Sequence, residues 1–327
     1  MSIEIKPIDL HFFDFFVELA LDNYYLERTS VGALQANVER SYFVNNLKSL
    51  LTDGTGCMAL ENGKIVGYLA FSCIDVNHTG EKEATSPLYG YGIRHVERGK
   101  VIGKLFTSLA ANLCEHYVQH LNINVYAHDS EVLWTYIASS FAMDTTDVVR
   151  DVHSSIHAEP LDYVFREVDK QELLAYQDTI IELYRQLINH LRLSPVFYHC
   201  QDFLPIENRF DDFLSDTLKI FAVFDKDKLI GMINAEPVDN GFAAYDGDAM
   251  SMGDVFIEPQ YRGKGIGEAL LKFANDELLK IGVKRLFVTH GTINPTARGF
   301  WDNHFDNFSY ALTRQIDTDM LGKIALF

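Results

Sequence analysis

The sequence predicts an α/β chain built as two tandem copies of one fold, and three observations lead there. The first is a stretch that reads as strand, glycine turn and helix: Val255-Phe256-Ile257-Glu258-Pro259-Gln260-Tyr261-Arg262-Gly263-Lys264-Gly265-Ile266-Gly267-Glu268. Its apolar run is closed by Pro259, which cannot donate to a ladder. Apolar residues at helical spacing follow, at Ala269, Leu270, Phe273, Ala274 and Leu278. The second observation is repetition at a fixed offset. Lys64-Ile65-Val66-Gly67, Arg98-Gly99-Lys100-Val101-Ile102-Gly103 and Phe16-Val17-Glu18-Leu19 each return 164 residues later, at Lys228, Arg262 and Ile180. Trp134 with Phe141 returns as Trp301 with Phe308, at an offset of 167. The third is length: 327 residues suit two domains. The expected division is 1–155 and 161–327, because Ser154-Ser155 and Ala158-Glu159-Pro160 interrupt any periodicity.

The first copy opens with a short strand, Ile3-Glu4-Ile5. A helix is expected over residues 9–26, with Asp9 as N-cap and Phe12, Phe13, Phe16 and Leu19 on its apolar face. A second helix is expected over 31–51. Asn62-Gly63 then joins two strands, 57–61 and 64–72, in a two-residue hairpin. Residues 77–83 read as polar loop and 88–93 as the strand leading to the turn at Arg98. A helix over 101–120, a strand over 123–127 and a helix around Trp134 complete the copy. The second copy restarts with a strand at 163–166 and a helix over 170–191. Residues 193–216 are irregular. A hairpin of 220–224 and 228–237 turns at Asp225-Lys226-Asp227. An acidic loop over 245–254 enters the strand at Val255. A strand over 285–289, a helix from Asn294 and a closing strand over 312–316 follow.

Composition excludes several classes. A net charge of −18 argues against nucleic-acid and anionic-membrane partners and is compatible with a cationic amine. No apolar run reaches the roughly 18 residues of a membrane span. The N-terminus lacks a basic region before an apolar stretch, so no signal peptide is expected. Cys57, Cys73, Cys114 and Cys200 show no pair spacing and read as reduced thiols of a cytoplasmic protein. His116 and His120 stand i, i+4, but without a third ligand they read as a wet helix face, so no metal is expected. The Phe12, Phe13, Phe15 and Phe16 cluster reads as core.

A glycine-rich turn opening a helix points backbone N–H groups at the positive end of a helix dipole, which suits phosphate. The dinucleotide fingerprint fails, because Glu268 stands where a third glycine is needed. The P-loop fails too, because Gly267 is followed by Glu268. What fits is Q/R-x-x-G-x-G/A, here Arg262-Gly263-Lys264-Gly265-Ile266-Gly267, preceded by Ile257-Glu258-Pro259. This resembles motif A of the GNAT superfamily, the acyl-CoA-dependent N-acetyltransferases.

The resemblance implies two GNAT-like domains, each a mixed, mostly antiparallel sheet flanked by helices and splayed between its fourth and fifth strands. It implies acetyl-CoA as cofactor. The backbone of Val255, Phe256 and Ile257 would bond the pantetheine arm, and the amides of Gly263, Lys264, Gly265, Ile266, Gly267 and Glu268 the pyrophosphate. Arg262 would shape or charge the loop. Asn294, in N-x-x-A with Ala297, matches a position that contacts the pantetheine arm, and residues 193–216 would line the acceptor cleft. The first copy departs from the motif: Val101 replaces Gly265 and His95 replaces Pro259. A β-branched residue there crowds a phosphate, so the first copy reads as degenerate, and the layout resembles tandem GNAT enzymes such as mycothiol synthase.

Acyl transfer to an amine requires a base, a stabilised carbonyl oxygen and a leaving thiolate. A backbone N–H near Ile257 suits the oxygen. Base candidates are Asp254, Asp248 and Asp246, in that order, each read more readily as a solvated acid at a strand entrance, and His290, equally readable as a surface or satisfied histidine. Many family members carry tyrosine where this chain has Trp301. Tyr310 and His304 are the nearby alternatives for an acid, or the thiolate leaves unaided. Trp134 and Trp301 are expected to share one structural place. The function read from all this is acetyl transfer from acetyl-CoA to a primary amine of a small molecule or peptide. The alternatives are a non-catalytic CoA-binding module or an enzyme using another acyl-CoA.

Overall fold

The computed structural model describes residues 3–77, 80–197, 210–238 and 242–317. The first half of the chain carries β1 (Ile3–Pro7), α1 (Phe13–Ser30), α2 (Arg40–Asp53), β2 (Thr55–Glu61), β3 (Lys64–Phe71), β4 (Asp75–Val76), β5 (Lys82–Ser86), β6 (Tyr91–Ile93), α3 (Arg98–Glu115), β7 (His120–Tyr126), α4 (Ser130–Ala138) and β8 (Ala142–Asp151). The second half carries β9 (Val164–Val168), α5 (Lys170–Ala175), α6 (Gln177–Arg192), β10 (Lys219–Asp225), β11 (Lys228–Pro237), β12 (Ala249–Ile257), α7 (Ile266–Lys280), β13 (Arg285–Gly291), α8 (Pro295–Trp301) and β14 (Asp306–Gln315).

Two compact units result. One comprises Met1–Asp147, Gly241–Tyr245 and Asn307–Phe327; the other comprises Val148–Asn240 and Asp246–Asp306. The expected break at 155–161 lies inside the second unit, and each unit draws chain from both halves of the sequence.

In unit 1, β1, β2, β3 and β6 form an antiparallel sheet. The β2–β3 hairpin turns at Asn62 and Gly63, both at positive φ (50° and 76°), as a two-residue hairpin requires. A second set of strands begins with β5 parallel to β7. β14 then pairs antiparallel with β7, from Ser309↔Tyr126 to Gln315↔His120. The strand expected to close the second copy therefore pairs in unit 1. The Thr146 hydroxyl donates to the Ser309 carbonyl at 2.8 Å, tying β14 to the first part of β8.

Unit 2 orders its strands β9-β10-β11-β12-β13, antiparallel except for β12 and β13. Residues 148–151 of β8 lie beside β13, and the Val152 N–H donates to Lys284 O at 3.1 Å. β10 shows why the sheet has two buried faces. Phe221 and Val223 join one core with Ile266, Leu270 and Ala274 of α7. Ile220, Ala222 and Phe224 join another with Ile180, Leu183 and Tyr184 of α6. Period-two alternation supplies both faces, and each fully buried large apolar side chain contributes about 1.5–3 kcal/mol.

Several local expectations change. Asp9 caps a short 3-10 turn at Leu10–Phe12, accepting from the His11 N–H, and α1 then runs on to Ser30. Phe16 is buried as expected, but Phe12 is 44% exposed. α2 begins only at Arg40. The span 245–254 is not all loop, since β12 starts at Ala249. His116 caps the end of α3 while His120 opens β7, so they do not share a helix face. Among the described residues no group of three or more His, Cys, Asp and Glu could hold a metal, and no helix is long and apolar enough to cross a membrane.

Candidate functional site

The site of unit 2 begins with a fork. β12 and β13 pair in parallel only at Ala249↔Arg285, Met250↔Leu286 and Ser251↔Phe287. The ladder stops there, although β12 continues to Ile257 and β13 to Gly291. Just past the fork β12 carries a bulge. Ile233 pairs with Val255 and Ala235 with Met252, so Gly253 and Asp254 together stand opposite Asn234. A bulge bends its strand and re-aims side chains, and both Gly253 and Asp254 are exposed.

The glycine turn follows. Pro259–Tyr261 forms a single 3-10 turn, and the Arg262 side chain reaches back to donate from Nε to Ile257 O at 2.8 Å. Gly263 and Gly265 have φ of +71° and +78°, a left-handed region that a branched side chain avoids. A Cβ at either would meet nothing within 4 Å, so the requirement is conformational and the surrounding space is open. Gly267 serves differently: a Cβ there would lie 3.2 Å from the Phe300 ring, so this glycine lets α8 close on α7. Gly265 is the N-cap of α7 and offers no side-chain cap. The first intrahelical bond is Ala269 N–H to Gly265 O. The amides of Ile266, Gly267 and Glu268 thus face outward at the positive end of a fifteen-residue helix. Lys264 holds its ammonium 5.2 Å from the Tyr261 ring, adding positive charge beside the turn, while Lys228, 5.6 Å from the same ring, is paired with Glu258 at 2.6 Å. Tyr261 donates to Asp225 at 2.9 Å, which raises its phenol above the ordinary value.

α8 is capped by Asn294, whose Oδ1 accepts from the Thr296 and Ala297 N–H groups at 3.2 and 3.3 Å. The oxygen is committed to the helix, so the amide nitrogen is the head atom that a ligand could engage. His290 is buried at the end of β13, with Nε2 3.3 Å from Asp302. Of the three aspartates, Asp246 is buried and grips Arg285 with both oxygens. Asp248 pairs with Lys284 at 2.6 Å, which holds its carboxyl below the usual range. Asp246 and Asp248 are held in structural pairs with Arg285 and Lys284, and Asp254 stands on the bulge. Tyr310 lies in β14 of unit 1, opposite Val125, outside the unit that holds Asp254 and His290. His304 is partly buried, and burial together with nearby Arg150 lowers its pKa. Residues 198–209, most of the expected acceptor-cleft segment, lie outside the described residues.

The two tryptophans do not share a place. Trp301 is 5% exposed and packs edge-on against Phe300 and Phe305, whereas Trp134 is 67% exposed. The buried aromatic of α4 is Tyr136, packed on Phe106 and Phe141. It stands seven residues after the N-cap Asp129, as Trp301 stands seven after Asn294. Counting from the cap would have found it.

Unit 1 treats the same turn otherwise. α3 begins at Arg98, so the positions matching Arg262 to Gly265 are already helical, and Val101 is fully buried. Arg98 keeps the reach-back bond to Ile93 O and also forks onto Asp129, at 3.0 and 2.5 Å. At the helix start, the Gly99 N–H donates to the Glu131 carboxylate at 3.0 Å. A carboxylate of the chain itself occupies the anion position.

Residues 184–305 match the family described as acetyltransferase (GNAT) family. A GCN5-related N-acetyltransferase of Sphaerobacter thermophilus is similar at 10% identity and a TM-score of 0.55, over 96% of this chain and 95% of that one. A tandem GNAT protein from the clavulanic acid biosynthesis pathway aligns over 96% of this chain and 98% of that one, at 14% identity and a TM-score of 0.47. No curated protein matches the sequence. At such identity the first of these likenesses bears on the fold alone.

Proposed function

We propose, from the match of residues 184–305 to the GNAT acetyltransferase family, that the chain is an N-acyltransferase moving an acetyl group from acetyl-CoA to a primary amine of a small molecule or peptide. The observation that carries the reading is the pairing of the strand fork with an uncapped helix start behind two left-handed glycines.

These residues fit the cofactor. The diphosphate would take the amides of Ile266, Gly267 and Glu268 and those of the turn from Gly263 to Gly265, with Lys264 and Arg262 adding charge. Val255, Phe256 and Ile257 offer strand backbone beyond the fork for an extended arm, and the Asn294 amide nitrogen stands by. Acetyl-CoA supplies an activated thioester whose thiolate, with a reference pKa near 8.5, leaves without a strong acid. The chain's own part is to place the amine and take its proton. Asp254, exposed on the bulge, is the base we favour, acting directly or through one water. His290 is the second choice, since its ring is buried against Asp302. Trp301 has no acidic proton, so no tyrosine acid is assigned here. The same Trp301 favours a second reading, a CoA-binding module without turnover. The scattered thiols support a cytoplasmic setting.

The test is acetyl-CoA turnover against a panel of primary amines, with calorimetry for CoA. Turnover supports the enzyme, binding without turnover supports the module, and absence of CoA binding removes both.

A further inference from the structure

The bulge on β12 has a partner that the sequence did not single out. Asn234 sits on β11 opposite Gly253 and Asp254. Its Oδ1 is buried and has no hydrogen-bond partner in the protein. A buried amide oxygen without a partner costs free energy. An asparagine head can be turned over, but one of its two head atoms stays unpartnered either way. The glycine beside it is what allows this placement: a Cβ on Gly253 would lie 2.3 Å from Oδ1. Alternation along β11 puts Asn234 on the face of Met232. That residue packs with Phe256 and Tyr184 in the core under α6. The amide therefore stands on the α6 face, beside the exposed Asp254, just past the point where β12 and β13 part.

We propose that Asn234 is a recognition residue for the amine acceptor, its side-chain amide receiving one N–H of the amine that Asp254 deprotonates. This rests on the acyltransferase reading. A primary amine or ammonium is the matching chemistry, because it brings several N–H donors to a site that offers an amide oxygen and a carboxylate. A thiol or hydroxyl acceptor has one donor and cannot engage both.

The experiment starts with the wild type and four amines: spermidine, glucosamine, benzylamine and lysine amide. Any amine turned over is then used with Asn234→Leu, Asn234→Asp and Gly253→Ala. The expected result is a rise of about tenfold in amine KM for Asn234→Leu, as for loss of one hydrogen bond to a charged group. CoA affinity by calorimetry and KM for acetyl-CoA stay as in the wild type. Asn234→Asp, of nearly the same shape, keeps the KM of cationic amines within about threefold. Gly253→Ala leaves Asn234 in the chain but pushes its head aside, and reproduces the rise. An unchanged amine KM in a folded Asn234→Leu variant overturns the inference. So does a parallel loss of CoA affinity, which marks a structural role. If the wild type binds CoA but turns over no amine, the acyltransferase reading fails before any variant is made, and the inference with it.

Discussion

The two copies of the arginine–glycine turn differ by little in sequence and by a great deal in what they present. In unit 2 the chain leaves its helix uncapped, with Gly263 and Gly265 in the left-handed region and the first amides outward. In unit 1 Val101 joins the core, the helix begins four residues earlier in the repeat, and Glu131 takes the amide of Gly99. Arg262 keeps one exposed bond to a carbonyl. Arg98 keeps the matching bond and adds a buried ion pair. The same residues leave amides open in one place and serve the fold in the other. What separates them is whether a residue with a Cβ stands where the chain must turn left-handed.

The largest effect that can break this comparison is on stability. Arg98→Met strands the Asp129 carboxylate, only 5% exposed, and should cost about 3–5 kcal/mol in chemical denaturation. Arg262→Met should cost about 1 kcal/mol, its effect falling instead on CoA affinity. Equal losses of stability would show that the two arginines do the same work.

Next comes affinity. Gly265→Val forces a branched residue into the left-handed region and withdraws several amides, so CoA should bind about a hundredfold more weakly by calorimetry. Wild-type protein should bind one CoA per chain. A second site of similar affinity, abolished by changes at Arg98 or Lys100, would remove the asymmetry.

Val101→Gly in unit 1 is the reverse exchange. It empties a fully buried position and places glycine in a helix, at a cost of about 3 kcal/mol. CoA stoichiometry should stay at one, because Glu131 still fills the anion position. A second equivalent bound would show that the branched side chain alone had closed the site.

The smallest effect is one of pH. Burial raises the Glu27 carboxyl above its ordinary 4.5, while bonds from His128 pull it back. A group that holds its proton longer when folded loses stabilising effect as pH climbs above its ordinary value. The melting-temperature gap between wild type and Glu27→Gln should therefore narrow from pH 5 to pH 8. The repeat places Leu191 at the matching position of the second copy, so the trend belongs to unit 1. A widening gap would mean that burial does not dominate the Glu27 carboxyl.

Much of this was legible in the sequence, for physical reasons that differ by element. Hairpins announce themselves through residues that tolerate positive φ, and Asn62-Gly63 is in its expected place. The helix after Gly265 was plain from its apolar spacing, and the turn from its glycines. β8 was not legible, because Met143-Asp144-Thr145-Thr146-Asp147 carries too much charge and too few apolar residues to read as a strand. Part of its pairing comes from β14, which lies far along the chain. Asn234 was invisible for a related reason. Nothing in Ile233-Asn234-Ala235 signals a bulge on the neighbouring strand; only the register shows it. The tryptophan pairing misled because identical residues were matched rather than positions counted from a cap.

The place of β14 bears on how this protein can be cut. Because residues 309–315 pair with β7 while 148–151 lie beside β13, a protease acting in the connection at 153–160 would not yield two self-sufficient pieces. The fragment 1–155 would lack a strand beside β7, leaving a row of amides and carbonyls open to aggregation. The fragment 161–327 would carry that strand with no sheet to receive it. Expressed apart, each should be insoluble or unstable. Mixed during refolding, they should complete one another and restore CoA binding, which makes the chain a candidate for split-protein complementation.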